Sequence, residues 1–117
     1  MQARESAEDG VSIIALEGEI DLACSPELRA ILHMHAEAKD ATLVLDFAAV
    51  SYVDSSGLAT LVEYVRKAQA FGGRLALAEV NTRVRTILDL VRLSEIFPIY
   101  PTVAEAKVAL AAPPPAA

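Results

Sequence analysis

"ATLVLDFAAVSYVDSSGLATLVEYV", residues 41–65, changes its hydrophobic period part-way along. Its first part, through Phe47, is a leucine and β-branched run with no alternation, the pattern of a strand covered on both faces. From Leu58 the apolar residues fall at Leu58, Leu61, Val62 and Val65, one stripe of an amphipathic helix. Between the two lies Asp54-Ser55-Ser56-Gly57, a polar cluster of the kind that starts helices. A covered strand feeding a helix predicts an α/β domain, and the flanking sequence extends that reading.

Upstream, two strand-like segments flank Asp9-Gly10, a dipeptide suited to the positive φ angles of a tight hairpin turn. "CSPELRAILHMHAEA", residues 24–38, then predicts a helix, with Ser25 as cap, Pro26 at the first helical position and Glu27 at the positive end of the dipole. Leu28, Ile31, Leu32 and His35 share one of its faces. Downstream of the serines, Gly72-Gly73 ends the second helix and Arg74 to Ala78 alternates as a strand. Val84, Ile87, Leu88 and Val91 mark a third helix, with Arg85 and Asp89 paired at i, i+4 on its wet side. "IFPIY" is a short strand that Pro98 confines to an edge, and Thr102 with Glu105 forms a capping box for a fourth helix reaching about Leu110. The expected fold is a single mixed β-sheet with an N-terminal β-hairpin and about four α-helices, starting near Pro26, Ser56, Arg83 and Val103. Leu43 and Leu45 should lie deep in its core. Residues 1–110 are read as one domain and 111–117, "AAPPPAA", as a disordered Pro/Ala tail.

The composition narrows function. A hydrophobic content of 54% with only 5% aromatic and no Trp calls for a core of Leu, Val, Ile and Ala. Sixteen acidic against ten basic residues, net −6, with no Lys/Arg stripe, argue against nucleic acid as a partner. The lone Cys24 can build neither an internal disulfide nor a cysteine-rich metal site and is read as inert. No apolar run approaches the roughly 20 residues that cross a bilayer, and no signal-peptide pattern opens the chain, so a cytoplasmic protein without direct membrane insertion is expected.

A nucleophilic serine needs a base, and the usual elbow reads G-x-S-x-G, which neither Ser55 nor Ser56 satisfies. The two histidines, His33 and His35, are two apart on a predicted helix and cannot chelate one metal well; His35, on the apolar stripe, reads as a core histidine. No glycine-rich phosphate loop of the P-loop type is present. The expectation is therefore no catalytic residue, no metal and no cofactor. By spacing alone, Asp54, Ser55 and Ser56 are three candidates to cap one helix, which leaves at least one hydroxyl free.

Three stretches resemble the STAS domain, in particular the bacterial anti-sigma factor antagonists: "LEGEIDLACSPELRAIL" (16–32), "LDFAAVSYVDSSGL" (45–58) and "GGRLALAEVNTRVRTILDLVRLSEIFPIYPT" (72–102). The resemblance spans about Val11 to Leu110 and implies a STAS fold. It places the family's switch serine, the phosphate acceptor, at Ser55 and its second serine position at Ser56. The implied partners are an anti-sigma factor with serine kinase activity and a serine phosphatase. Unphosphorylated, such an antagonist binds the anti-sigma factor and frees a sigma factor for transcription; phosphorylated, it lets go, and the exchange is called partner switching. The resemblance also puts the front loop beside the serine, making Glu19, Asp21, Asp54, Ser55, Ser56 and Gly57 the expected partner-binding residues. Arg83 and Arg85 are read as a solvated helix face from which either could reach a partner's carboxylate. Related domains keep the fold without the switch, as scaffold modules in stress-signalling complexes or as a small subunit of a lipid-transport ATPase, and they form the alternative.

Overall fold

A computed structural model describes residues 1–111. Strand β1 (Gln2–Glu8) turns through Asp9 and Gly10, at φ 54° and 78°, into antiparallel β2 (Val11–Ile20). Both φ values lie in the left-handed region that the Asp-Gly pair was expected to supply. Helix α1 (Ser25–Glu37) carries the chain to β3 (Thr42–Val53), which pairs parallel to β2. Helix α2 (Ser55–Gln69) leads to β4 (Arg74–Ala78), and α3 (Thr82–Leu90) with a single 3-10 turn at Leu93–Glu95 leads to β5 (Ile99–Tyr100), both strands again parallel to their neighbours. Helix α4 (Val103–Ala111) follows. The sheet is mixed and its strand order is β1-β2-β3-β4-β5.

Helices α1, α2 and α3 cover one face of the sheet. Leu28 and Leu32 of α1, Leu61 and Tyr64 of α2, and Val84 and Leu88 of α3 pack there against Ile14, Leu16, Leu43, Leu45, Phe47 and Leu77. Among the described residues helix α4 covers the other face, setting Ala106 and Leu110 against Val11, Ile13, Val44, Ala76 and Ala78. Leu43 and Leu45 are fully buried, as expected of a central strand. Polar contacts fasten α4: the Glu79 carboxylate accepts from Val103 N–H at 2.9 Å, Arg74 donates to the Leu110 carbonyl, and Lys107 pairs with Glu8 in β1 and with Asp9 at 3.7 Å. The Thr102 hydroxyl accepts from Glu105 N–H at 3.1 Å, as the capping-box pattern predicted.

Four local expectations differ from the structure. Ser25 does not cap α1: Cys24 occupies the cap position without a side-chain cap bond, and Ser25 is the first helical residue, its hydroxyl 3.4 Å from the Leu22 carbonyl. Residues 74–78 do not alternate in burial, because α4 covers the face left open to solvent in that reading; Leu75, Ala76, Leu77 and Ala78 are all buried. His35 is not a simple core histidine but sits half-buried between two carboxylates, with Nδ1 2.8 Å from Asp40 and Nε2 2.6 Å from Glu5. Of the tail, Ala111 still belongs to α4, and 112–117 lie outside the described residues.

Candidate functional site

The sheet delivers β2 and β3 in parallel, so their C-terminal ends, at Ile20 and Val53, finish side by side. Asp54 N–H donates to the Ile20 carbonyl at 3.0 Å, as a last rung of that pairing. Asp54 is extended, at φ −96° and ψ −177°, and is the N-cap of α2. One of its oxygens, Oδ1, accepts from Ser56 N–H at 2.9 Å, Gly57 N–H at 3.2 Å and the Ser56 hydroxyl at 2.5 Å. The other, Oδ2, accepts from Leu22 N–H at 3.1 Å. One carboxylate therefore caps a helix and holds the neighbouring loop. These bonds, that from the Ser56 hydroxyl foremost, keep the Asp54 carboxyl below its ordinary range, since they favour the charged form.

Gly57 is required by closeness rather than by φ. A Cβ there would lie 2.7 Å from Ile20 Cγ2 and 2.9 Å from Val53 Cγ1, so α2 meets the strand ends at a distance only glycine permits. Thr60 donates its hydroxyl to the Ser56 carbonyl at 2.9 Å one turn later.

The two serines have separate environments. Ser56 is half-buried and bound to Asp54, whereas Ser55, the first residue of α2, is exposed and its hydroxyl has no hydrogen-bond partner among the described residues. The front loop beside them is a tight knot. Asp21 Oδ1 accepts from Cys24 N–H at 3.2 Å, the Asp21 carbonyl accepts from Ser25 N–H at 2.9 Å, and Asp21 N–H donates to Cys24 Sγ at 3.2 Å. Cys24 is buried and structural, a role its lone occurrence in the sequence did not reveal.

Of the six expected partner-binding residues, Asp21, Asp54, Ser55, Ser56 and Gly57 are gathered at this end of the sheet by the bonds above. Glu19 is exposed two residues earlier on β2, in register with Tyr52 of β3. Among the described residues neither Glu19 nor Asp21 bonds Ser55 or Ser56; the Asp21 side chain holds its own loop. Arg85 forms its expected ion pair with Asp89 at 3.1 Å, but Arg83 is not simply solvated, for its guanidinium lies 5.2 Å from the centre of the Tyr52 ring. That stacking joins α3 to β3, a contact that sequence spacing could not signal. His33 and His35 lie eight and ten residues beyond Ser25, hence roughly 12–15 Å along α1, and are bonded to carboxylates there.

Helix α2 thus presents at its first turn an unbonded hydroxyl backed by a fixed, ionised carboxylate. Phosphate on Ser55 Oγ would stand beside the helix N-terminus, which favours an anion, and beside Asp54, which opposes it.

The STAS domain family model matches residues 3–106. The anti-sigma F factor antagonist of Paenibacillus polymyxa is 32% identical over 92 residues, covering 78% of this chain and 79% of that one. The intermembrane phospholipid transport system binding protein MlaB of Escherichia coli is 34% identical over 80 residues, covering 68% and 79%. Among solved structures, an anti-sigma factor antagonist from Mycobacterium paratuberculosis superposes with a TM-score of 0.86 at 28% identity, covering 93% of this chain and 92% of that one.

Proposed function

This chain belongs to the STAS domain family, and on that premise we propose that it is an anti-sigma factor antagonist switched by phosphorylation of Ser55. In its unphosphorylated form it binds an anti-sigma factor that is also a serine kinase, freeing a sigma factor for transcription. That kinase transfers the γ-phosphoryl group of ATP to Ser55 Oγ, the hydroxyl proton leaves to the kinase's base, and ADP departs. A serine phosphatase reverses the modification by hydrolysis, and the exchange takes place in the cytoplasm. The protein is a substrate and a binding module rather than a catalyst.

The observation that carries this reading is the division of labour at the turn. Asp54 and Ser56 satisfy the helix and each other, while Ser55 is exposed and unbonded. The modification can therefore occur without disturbing the cap. It adds about −1.5 to −2 of charge directly beside the Asp54 carboxylate. A partner packed on that surface would have to desolvate both groups, which is costly, whereas a neutral hydroxyl is not. Binding is lost and the fold remains.

The test combines intact-mass measurement after incubation with ATP and the anti-sigma kinases of the same genome with binding titrations of the phosphorylated and unphosphorylated forms. Ser55→Ala should block modification and keep binding; Ser55→Asp should weaken binding only in part, because it supplies about one charge where phosphate supplies nearer two. Phosphate on Ser56 alone, or equal affinity of the two forms, contradicts the assignment. Co-purification with an ABC ATPase together with an unaltered phenotype for Ser55→Ala would assign the chain to the lipid-transport branch instead.

A further inference from the structure

Leu22 is 73% exposed, although it sits in the most firmly bonded loop of the site. Its N–H is held by Asp54 Oδ2 at 3.1 Å, its carbonyl faces the Ser25 hydroxyl at 3.4 Å, and the Asp21–Cys24 knot fixes the loop on either side. Surface turns ordinarily carry small polar residues, which meet the backbone's needs and water's together. A rigid loop with a bare leucine gains nothing within the folded chain. Met34, Leu90, Val91, Ile96 and Val108 are also exposed, but of these large apolar side chains only Leu22 belongs to a segment hydrogen-bonded to the switch turn among the described residues.

Building on the antagonist reading, we infer that Leu22 is the apolar anchor of the anti-sigma interface, seated in a pocket of the partner whose rim is basic. The charge around the leucine identifies the rim. Glu19, Asp21 and Asp54 lie on the two segments joined at this point, and Glu27 lies in the first turn of α1, four carboxylates to the one guanidinium, Arg83, that stacks on Tyr52 near the end of β3. A second copy of this chain would bring the same carboxylates together and is disfavoured; Lys and Arg side chains around an apolar cleft complement them. The loop's stiffness serves affinity, because a side chain already held in place loses little freedom on binding. Leu22 is bonded through its N–H to Asp54, the residue that precedes Ser55, so the modification that repels the rim falls one residue from the anchor's own tether.

The experiment measures the affinity of full-length wild type, Leu22→Ala, Leu22→Asn and Leu90→Ala for the anti-sigma kinase that wild type binds, at two salt concentrations. Leu22→Ala should weaken binding by about tenfold or more, the loss expected when a buried anchor is truncated, and Leu22→Asn by at least as much. Leu90→Ala, removing a comparably exposed leucine at the far end of α3, should change affinity by less than about threefold. Salt should weaken wild type and Leu22→Ala in parallel, since the rim charges remain in both. Leu22→Ala with wild-type affinity overturns the inference, as does a concentration-dependent dimer of the free chain that Leu22→Ala abolishes. If wild type binds no anti-sigma factor of its genome, it is the antagonist reading itself that fails.

Discussion

Asp54 and Leu22, 32 positions apart, are joined by a 3.1 Å hydrogen bond from the Leu22 backbone to Asp54 Oδ2, while Oδ1 of the same carboxylate caps α2. The two oxygens do different work. Asp54→Asn keeps one acceptor and replaces the other by a donor, so the cap and the loop can no longer both be satisfied. The Leu22 amide should exchange with deuterium at least about tenfold faster than in wild type, and the thermal midpoint should fall. Unchanged protection at Leu22 would show that the loop holds itself.

Ser56→Ala removes a hydroxyl bonded to Asp54 but leaves the backbone cap in place. We expect it to remain a phosphate acceptor at Ser55, with a stability loss of no more than about 1 kcal/mol. Denaturant titration and phosphopeptide mapping check the two halves separately.

Gly57→Ala should lower stability by about 1–3 kcal/mol, the range for forcing atoms into a packed site, despite the better helix propensity of alanine. The clash is with Ile20 and Val53 at the strand ends, so α2 must move outward and carry Ser55 with it. A more stable variant would show that the strand ends yield easily.

Tyr64 is buried and its hydroxyl has no partner among the described residues; burial first, then the charge of Asp40, push its pKa up to about 12. Deleting an unsatisfied buried hydroxyl removes a desolvation penalty, so Tyr64→Phe should leave stability unchanged or raise it by up to about 1 kcal/mol. A clear drop in the thermal midpoint would reveal a bonded water at that oxygen.

His35 makes stability pH-dependent. Burial, the largest single influence, lowers its pKa, but the hydrogen bonds and charges of Asp40 and Glu5 together raise it above the ordinary 6.5. Tyr64 faces the same Asp40 carboxylate and stays neutral through this range. A group whose pKa is raised on folding contributes stability that is fully present below its unfolded value and is lost as pH rises through the folded one. Wild type should therefore lead His35→Gln by most near pH 6, with the lead shrinking as the pH climbs past the raised pKa. A difference that stays constant over that window would mean that His35 titrates unperturbed, and one that grows would mean that folding lowers its pKa.

The strand as far as Phe47, the polar turn and the helix to Gln69 were legible because each is specified by near neighbours: a run without alternation, three adjacent capping candidates, a 3.6-residue stripe; β3 in fact continues to Val53, and which of the three residues caps was left open. Asp9-Gly10 was legible for the same reason. Missed were the contacts made by residues brought together only by the fold, such as Arg83 on Tyr52, Asp54 with Leu22, and His35 with Glu5. Ser25 looked like a cap because its residue type favours that position, but the Asp21–Cys24 knot, closed around a buried thiol, starts the helix one residue earlier. In β4 the alternation was misread because the pattern assumes one wet face, and α4 removes it.

The strands lie in the sheet in the order in which they occur in the chain, so each can join a neighbour already in place as synthesis proceeds. The second face is different. Val11, Ile13, Val44, Ala76 and Ala78 wait for α4, which emerges after all five strands, and the groups that fasten it, Glu79, Arg74 and Glu8, were all made earlier. Until α4 has cleared the ribosome, the nascent domain carries an uncovered apolar sheet, and a chain that stops short of residue 103 keeps that surface for chaperones and proteases to find.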